Sequence, residues 1–431
     1  MPTVDPMPAS VGSRVPWIGA APGLLRNPTT WFTRQRARHG DTFVVDALAH
    51  QFLCVFGPVA VRNLYAVAER DASFGLATYT MIRTKVPDEL FGDIRNPPHK
   101  LFGNQRVEGY LANLAVTMDA ELDVLGPRGT FDAFGESRRI GHRLGLASWA
   151  GHEAASPAHV EALIDALDRL DTSESFVHPL RTMVTLATNK ARERRAMAEV
   201  EGVIAEILAE RRCQPDRRSG DFLDTIDESF ADVDQPLHDR LVARDVIVLH
   251  LGSQSNLFAA LAWTLVNLLG APDDLASVTN GDDALLDRYA YESIRMAQRS
   301  ITMRQVLRPI DFETDAGELH LSPGLLITTM LSVTNTTADA SLSTFDPDHY
   351  HGRTLTVAGD LATKELVSTF GHGTHTCPAQ RFSISAIRTA IRALLDRYEL
   401  SPRFDRPGPL TRQIGGVARA DRPTPVDYRR R

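Results

Sequence analysis

A single cysteine in a glycine-rich stretch constrains the fold of this chain more than any other feature. The stretch reads Phe370-Gly-His-Gly-Thr-His-Thr-Cys-Pro-Ala-Gln-Arg-Phe382, and aliphatic residues recur at helical spacing after it. We therefore expect Cys377 to lie where an irregular loop enters a helix, with Pro378 in the first helical turn. A helix N-terminus favours a thiolate, which is a good ligand for a soft metal. A buried structural cysteine in a turn is the alternative that this stretch alone leaves open.

Composition removes several classes of function. The 431 residues are 43% hydrophobic and 23% charged with a net charge of −7, so nucleic acid has no electrostatic case as the main partner. Cys54, Cys213 and Cys377 are widely spaced and odd in number, which argues against a disulfide framework or a zinc site and for a reducing, cytoplasmic compartment. The apolar run Leu257–Leu269 is too short to span a bilayer, so we expect no membrane association.

The periodicity of the chain predicts one domain that is mainly α with a smaller β region. Residues 1–13 are expected to form a disordered lead-in, and the domain covers 14–431. The β-rich runs Thr42–Val45 and Gln51–Phe56 predict a hairpin, after which Gly57-Pro58 opens a helix. Short β-like runs return after residue 304. Predicted helices between these β parts cover 104–125, 137–150, 157–170, 177–211, 237–269 and 283–298.

Two further motifs precede the cysteine loop. Glu292 and Arg295 stand at i and i+3 of a predicted helix, where they can form an ion pair. By itself such a pair is most often a solvated surface feature of little consequence. The segment Phe345-Asp-Pro-Asp-His349 follows, so the three motifs occur in a fixed order between residues 292 and 382.

In this order the motifs resemble those of the cytochrome P-450 family of haem-thiolate enzymes. Phe370, Gly373 and Cys377 match the family's F-x-x-G-x-x-x-C-x-G loop, while Ala379 replaces its last glycine. The resemblance implies the cytochrome P-450 fold, a triangular haem-thiolate prism. It also implies haem b (heme b, iron protoporphyrin IX) as the cofactor, with Cys377 as the iron ligand and Phe370 shielding the thiolate.

The resemblance assigns roles to further residues around the haem. His375 matches a position that usually hydrogen-bonds a haem propionate. Glu292 and Arg295 would form a buried structural pair, and His349 stands where the family normally has a third, arginine member. We therefore expect this network to be present but weaker or more sensitive to pH.

Three more residues are candidate propionate partners. His99 and Lys100 lie in the region where the family has His-x-x-x-Arg, although Gly103 occupies the arginine position here. The alternative for them is an ordinary helix start after Pro98. Arg304 follows the helix of the ion pair, where a strand usually lines the haem.

The segment that resembles the family's distal helix departs most from the family pattern. Trp263 fixes the register, so that Ser255 takes the place of the usual acid and Asn256 that of the usual threonine. The family's acid–alcohol pair relays protons, but a serine is not a carboxylate and an asparagine amide does not titrate. Gln254 could reach the pocket only through a helix bulge. An ordered water chain through Ser253, Ser255 and Asn256 is one open alternative, and proton delivery must otherwise be rerouted or be unnecessary.

The sequence leaves two activities open. Ser-Gln-Ser-Asn in this helix is similar to the sterol 7α-hydroxylase and prostacyclin synthase branch, which contains hydroxylases and peroxide isomerases. One activity is an O2-dependent monooxygenase of bacterial secondary metabolism. In that case the replacement of the usual acid and threonine in the distal helix would be neutral drift. The other is an O2-independent isomerase or dehydratase, or an enzyme of N–O or peroxide rearrangement or group transfer. A haem-based gas sensor is disfavoured because we expect no attached output domain.

Partners follow from the same resemblance. The stretches that would line a substrate pocket are largely apolar, with His250 and Asn256 as polar handles, which fits a hydrophobic or aromatic small molecule. A monooxygenase would need a ferredoxin or flavodoxin, because we expect no fused reductase. Arg381, Arg388 and Arg392, with Arg106, would dock such an acidic partner. We expect a cytoplasmic monomer. The pocket stretches are 73–92, 176–184, 246–259, 298–304 and 411–418.

Overall fold

The computed structural model describes residues 7–8, 10–11, 19–47, 50–102, 107–171, 184–218 and 220–431. These residues separate into two compact units. The first unit takes its described residues from 1–82, 291–377 and 408–421, and the second unit takes them from 83–290, 378–407 and 422–431. Most elements of the second unit are helices, and the main sheet belongs to the first, which confirms the predicted mainly α fold with a smaller β region.

A six-stranded sheet forms the centre of the first unit. Thr42–Ala47 and His50–Val55 pair antiparallel with Val44 opposite Leu53, so the predicted hairpin is confirmed. Leu53 and Ile327 pair on neighbouring parallel strands and are both buried, because the sheet is covered on this side by apolar side chains. In spatial order the strands are Ser10–Val11, Thr42–Ala47, His50–Val55, Leu326–Met330, Ile301–Val306 and Ala72–Ser73.

The edge of this sheet corrects one prediction. Ser10 and Val11 were assigned to a disordered lead-in, yet they pair in parallel with Val44 and Val45. They satisfy backbone groups that Thr42–Ala47 would otherwise leave exposed at a sheet edge, which sequence composition does not reveal. Residues 1–6, 9 and 12–18, which hold most of the predicted lead-in, lie outside the described residues.

Helices and two small ribbons complete the first unit. Asn27 caps the helix Pro28–His39 by accepting a hydrogen bond from the Thr30 amide at 3.1 Å. Pro58 is the first residue of its helix, as predicted. The helices are Ala21–Arg26, Pro28–His39, Pro58–Ala66, Phe74–Ile82, Leu331–Thr337 and the part of Asp283–Ala297 from Tyr291 onward; the ribbons are Ile310–Thr314 with Gly317–Leu321 and Tyr350–His351 with Thr354–Leu355.

The second unit is a helical assembly around one long helix, Leu237–Leu269. Asp132 and Asp221 cap two of its helices through their carboxylates. One three-stranded antiparallel sheet is formed by Tyr398–Pro402, Pro425–Arg430 and Arg128–Asp132. The other helices are Pro98–Leu101, Val107–Leu125, Ala133–Trp149, Val160–Leu170, Ala191–Cys213, Phe222–Ser229, Pro272–Thr279, Gln380–Arg397 and the part of Asp283–Ala297 before Tyr291.

The long helix is apolar because it is the core of the second unit. It is long and apolar enough to cross a membrane, but 67% of its most apolar window is buried inside the protein. It packs mainly against Ala133–Trp149 and Ala191–Cys213. Burial on several sides explains why it lacks the polar stripe of a surface helix.

The helix after the cysteine begins later than predicted. It runs from Gln380 to Arg397 with Ala379 as its N-cap, so Pro378 lies in the preceding turn and not in the first helical turn. Ile387 and Ile391 lie on its buried face, as their spacing predicted. Cys377 is therefore separated from the helix by a two-residue turn.

Candidate functional site

The cysteine loop, residues Phe370–Cys377, is a tight turn of the first unit whose ends are joined by a backbone hydrogen bond. The Cys377 amide donates to the Phe370 carbonyl oxygen at 2.6 Å. Gly371 has a φ of +78°, and a Cβ atom there would lie 2.6 Å from the His375 carbonyl oxygen, so only glycine fits. Gly373 also has a positive φ, of +62°. Cys377, the last residue of the loop, is partly exposed.

Aromatic packing supports the loop from the helix of the ion pair. The Phe370 ring meets the Tyr291 ring edge-on, with 5.8 Å between centroids. Tyr291 also stacks on Tyr350 at 5.2 Å and is almost fully buried. Since Tyr291 directly precedes Glu292, the ion pair and the loop share one rigid support.

The predicted ion pair is present and completely buried. Arg295 donates to Glu292 twice, from Nε to Oε2 at 2.7 Å and from Nη2 to Oε1 at 2.5 Å. The Nδ1 atom of His349 lies 3.0 Å from the same Oε1 atom, in the place where the family has an arginine. The remaining guanidinium N–H groups of Arg295 reach carbonyl oxygens of Asn335, Leu342 and Thr344. Every donor of the pair is thus used inside the first unit.

Two of the predicted propionate partners converge on a carboxylate that sequence reasoning missed. The Nε2 atom of His375 lies 3.2 Å from Oε2 of Glu69, and Nη1 of Arg304 lies 3.3 Å from the same atom. Arg304 is only 2% exposed, and it also donates to the carbonyl oxygens of Ala72 and Tyr65. His375, Arg304 and Glu69 therefore form one polar cluster in the first unit, beside the cysteine loop.

The environment sets the charge of this cluster. Burial acts to raise the pKa of Glu69, but hydrogen bonds from the Ser73 hydroxyl and the Gly75 and Phe74 amides outweigh it and lower that pKa below its ordinary value. Burial, and then the charge of Arg304, lower the pKa of His375, although Glu69 opposes them. At neutral pH the cluster therefore holds an ionised Glu69 carboxylate.

His99 and Lys100 lie on the short helix Pro98–Leu101 of the second unit, where both are exposed. The preceding Asn96 is buried and donates to Asp245 of the long helix from its backbone and side chain, at 3.0 and 2.8 Å. The segment is thereby fixed to the long helix, and the role of His99 and Lys100 toward haem stays a prediction. Gly103, Arg106 and most of the predicted pocket stretch 176–184 lie outside the described residues.

The long helix sorts the predicted catalytic residues onto different faces. Gly252 and Asn256 share an exposed face, and Ser255 is half-buried. Gln254 is 1% exposed, and neither its amide nitrogen nor its amide oxygen has a hydrogen-bond partner of acceptable geometry. The helix is continuous from Leu237 to Leu269, so the bulge that Gln254 needs to reach a pocket is not formed.

Two buried histidines contact each other, and one of them belongs to the same long helix. His250 was predicted to be a polar group of the substrate pocket, but it is fully buried and faces His142, with 2.9 Å between Nε2 and Nδ1. His142 continues through its Nε2 atom to Asp168 Oδ1 at 3.1 Å, and Trp149 Nε1 donates to His250 Nδ1 at 3.1 Å. A helical period already groups His250 and Gln254 with the buried Leu257, so the sequence carried this signal.

The direction of these hydrogen bonds is fixed by chemistry. An indole N–H can only donate, so His250 accepts from Trp149 at Nδ1 and carries its proton on Nε2. His250 then donates to His142, which in turn donates to Asp168. Burial, and next the neighbouring His142, hold the pKa of His250 well below its ordinary value. This series of hydrogen bonds starts at an indole that yields no proton. The network therefore anchors the long helix and does not carry protons to its exposed face.

This network predicts an acid-sensitive second unit. Because the pKa of His250 is lowered in the folded state, the unfolded chain binds an extra proton once the pH falls below about 6.5. We expect the free energy of unfolding to fall by about 1.4 kcal/mol per pH unit below that value from this residue alone. Urea unfolding between pH 5 and 8 should show a flatter profile for His250→Gln, whereas His320→Gln, at an exposed site, should keep the wild-type slope. Equal slopes in all three proteins would contradict the assignment.

The predicted basic face is largely neutralised. Arg388 makes a bidentate pair with Asp287, both contacts at 3.0 Å, and Arg392 pairs with Asp283 at 2.5 Å. Arg381 is exposed. The matching i, i+4 spacing of the two arginines and the two aspartates was visible in the sequence, and it reduces the positive charge available for docking.

Comparison with known proteins points to the same family as these motifs. No family model matches the chain. It is 26% identical over 265 residues to cytochrome P450 monooxygenase pyr3 of Aspergillus fumigatus, which covers 54% of this chain and 50% of that protein. It is 24% identical over 321 residues to cytochrome P450 107B1 of Saccharopolyspora erythraea, covering 74% of this chain and 69% of the relative. The chain thus spans about half the length of the first of these relatives.

A shorter match is 29% identical over 123 residues to bicoumarin synthase desC of Aspergillus desertorum, covering 26% of this chain and 22% of that protein. The chain is thus similar, at 24–26% identity, to several proteins named as cytochromes P450. The structure itself has a mainly helical fold, a buried Glu292–Arg295 pair and the Cys377 loop.

Proposed function

We propose that this protein is a haem-thiolate monooxygenase that oxidises a hydrophobic or aromatic small molecule. The observation that carries the proposal is the cysteine loop, whose Cys377–Phe370 hydrogen bond and left-handed Gly371 and Gly373 hold one partly exposed thiol. The names of two long matches, a cytochrome P450 monooxygenase and cytochrome P450 107B1, support the same class.

The residues of the first unit fit haem b. Cys377 supplies a thiol in the loop, and Arg304 and His375 supply nitrogen donors for carboxylates. Phe370 packs on Tyr291 and would keep water from the thiolate. Bound haem would supply the iron at which O2 is activated, while Cys377 donates electron density to it.

The proposal extends to partners and compartment. A separate ferredoxin or flavodoxin would deliver electrons, and the exposed Arg381 is the part of the predicted docking face that supports this. We propose that the protein is a monomer in a bacterial cytoplasm. We also propose that it acts in secondary metabolism. The widely spaced, odd set of cysteines supports a reducing compartment. The match to a bicoumarin synthase supports an aromatic substrate.

One observation favours a second function, an O2-independent isomerase, dehydratase or rearrangement enzyme. The only acids of the long helix are Asp239 and Asp245, and both precede the Ser255–Asn256 position by ten residues or more. Asp239 is paired with Arg212 at 2.9 Å, and Asp245 accepts from Asn96. Ten helical residues span about 15 Å, so neither carboxylate reaches the place of the family's acid.

Labelled oxygen separates the two functions. Purified protein that binds an aromatic test compound should convert it with reduced ferredoxin and O2, and the product should carry oxygen from ¹⁸O2. Product formed by ferric protein under anaerobic conditions without a reductant would instead assign the second function. The same compound and protein preparation serve both arms.

Restoring the family's acid and alcohol should improve the first function. The double variant Ser255→Asp with Asn256→Thr is expected to raise the product formed per electron consumed about tenfold, because a positioned acid then supplies the proton. Asn256→Thr alone adds an alcohol without an acid and is expected to change this ratio less. The oxidation of reduced ferredoxin and the product formed would be measured together, and an unchanged ratio in the double variant would count against O2-dependent chemistry.

A further inference from the structure

The carboxylate of Glu69 is fixed by its own segment of the first unit. Its Oε1 atom accepts from the Ser73 hydroxyl at 2.5 Å and from the Gly75 amide at 2.8 Å. Its Oε2 atom accepts from the Phe74 amide at 3.1 Å. The two amides belong to the first turn of the helix Phe74–Ile82, whose dipole also favours a negative charge there. Glu69 is therefore a positioned anion and not a mobile surface side chain.

The free side of this carboxylate faces the two nitrogen groups that would hold a haem propionate. Oε2 lies 3.3 Å from Arg304 Nη1 and 3.2 Å from His375 Nε2. Arg304 also donates to two backbone carbonyl oxygens, which fix its guanidinium group next to Glu69. It therefore cannot rotate away from Glu69 to bind only a second anion. Any propionate that reaches Arg304 and His375 must share them with Glu69.

Space for a second carboxylate exists beside the first. A cavity of about 620 Å³ in the first unit is lined by residues 65–69 and by Gly373, Thr374 and His375 of the cysteine loop. Glu69 and His375 are its two titratable side chains other than Tyr65. The side chain of Glu69 is 46% exposed, so solvent screens its charge only in part.

We propose that Glu69 is a built-in competitor for the haem propionate, a fixed like charge that shares Arg304 and His375 and shortens the time for which haem is retained. This inference rests on the haem binding of the proposed function. Two carboxylates near one guanidinium repel each other, and the repulsion favours departure of the one that is not covalently attached. Glu69 thus tunes retention of haem without touching the iron.

The test is the rate of haem loss. Holoprotein is mixed with excess apomyoglobin, and transfer is followed by the change in absorbance. Glu69→Gln keeps the side-chain shape and an acceptor oxygen for Ser73, and it is expected to slow haem loss about fivefold. Ser73→Ala loosens the carboxylate and should slow the loss by a smaller factor. Glu318→Gln removes an exposed acid of the Gly317–Leu321 strand and is expected to leave the rate unchanged.

A second arm uses haem whose propionates are methyl esters. If Glu69 acts through propionate charge, the difference between wild type and Glu69→Gln should disappear with the ester, as in a double-mutant cycle. An equal or faster loss in Glu69→Gln with ordinary haem, or the same slowing with both haems, would overturn the proposal. A wild-type protein that takes up no haem would instead overturn the proposed function, so the two failures are distinguishable.

Discussion

Replacing Glu292 by glutamine is expected to lower the free energy of unfolding by about 3–5 kcal/mol, because it leaves a buried guanidinium without its counter-charge. Glu292 accepts from two nitrogens of Arg295, and its Oε1 atom also accepts from the Asp346 amide at 3.0 Å and lies 3.0 Å from His349 Nδ1. A glutamine offers one acceptor oxygen for these donors and brings two N–H groups that face Arg295. The loss combines an unpaired charge with unsatisfied hydrogen bonds.

Urea unfolding measures this effect, with Glu313→Gln as the control. Glu313 lies on the exposed side of the strand Ile310–Thr314 of the same unit, so its substitution should change stability by no more than about 0.5 kcal/mol. The cysteine loop should loosen together with the ion pair, because Tyr291 joins Glu292 to Phe370. A loss below about 1 kcal/mol in Glu292→Gln would show that the pair contributes no more than a surface salt bridge.

Replacing Cys377 by serine is expected to abolish monooxygenase turnover and the spectroscopic signature of thiolate ligation. Serine keeps the size of the side chain and the Cys377–Phe370 backbone hydrogen bond can form unchanged, so the loop should persist. A serine hydroxyl is not ionised at neutral pH and donates far less electron density to iron than a thiolate. The effect should therefore lie in the chemistry and not in folding.

Cys213→Ser is the matched control for this variant. Cys213 is the exposed last residue of the helix Ala191–Cys213, so its substitution should preserve both turnover and spectrum. Product would be measured at equal haem content in the three proteins. Turnover in Cys377→Ser equal to that of wild type would remove Cys377 from the site.

Features that depend on local sequence were predicted well. The β-rich runs Thr42–Val45 and Gln51–Phe56 predict the hairpin that is observed, because residue type and the turn between the runs are local features. The buried network of Glu292, Arg295 and His349 was implied by the resemblance to the cytochrome P-450 family, and it is present. The start of the last long helix was misplaced because a proline fits a preceding turn as readily as a first helical turn.

Features that depend on distant parts of the chain were missed. Glu69 meets Arg304 across 235 positions, and no pattern around Glu69 announces that contact. The hydrogen bond between His142 and His250 spans 108 positions. For His250 the helical period could have indicated a buried face, but the residue was assigned to a pocket because of its polarity. A single sequence does not show which polar side chains from distant parts of the chain will contact each other.

The central claim, that Cys377 can serve as the thiolate ligand of haem, is tested most directly by the difference spectrum of the reduced protein with and without carbon monoxide. The protein is reconstituted with haem b and reduced, and wild type is compared with Cys377→Ser and Cys213→Ser. We predict the long-wavelength carbon monoxide band of thiolate-ligated haem in wild type and Cys213→Ser, and its loss in Cys377→Ser. A wild-type spectrum without that band, or the same band in Cys377→Ser, would contradict the assignment.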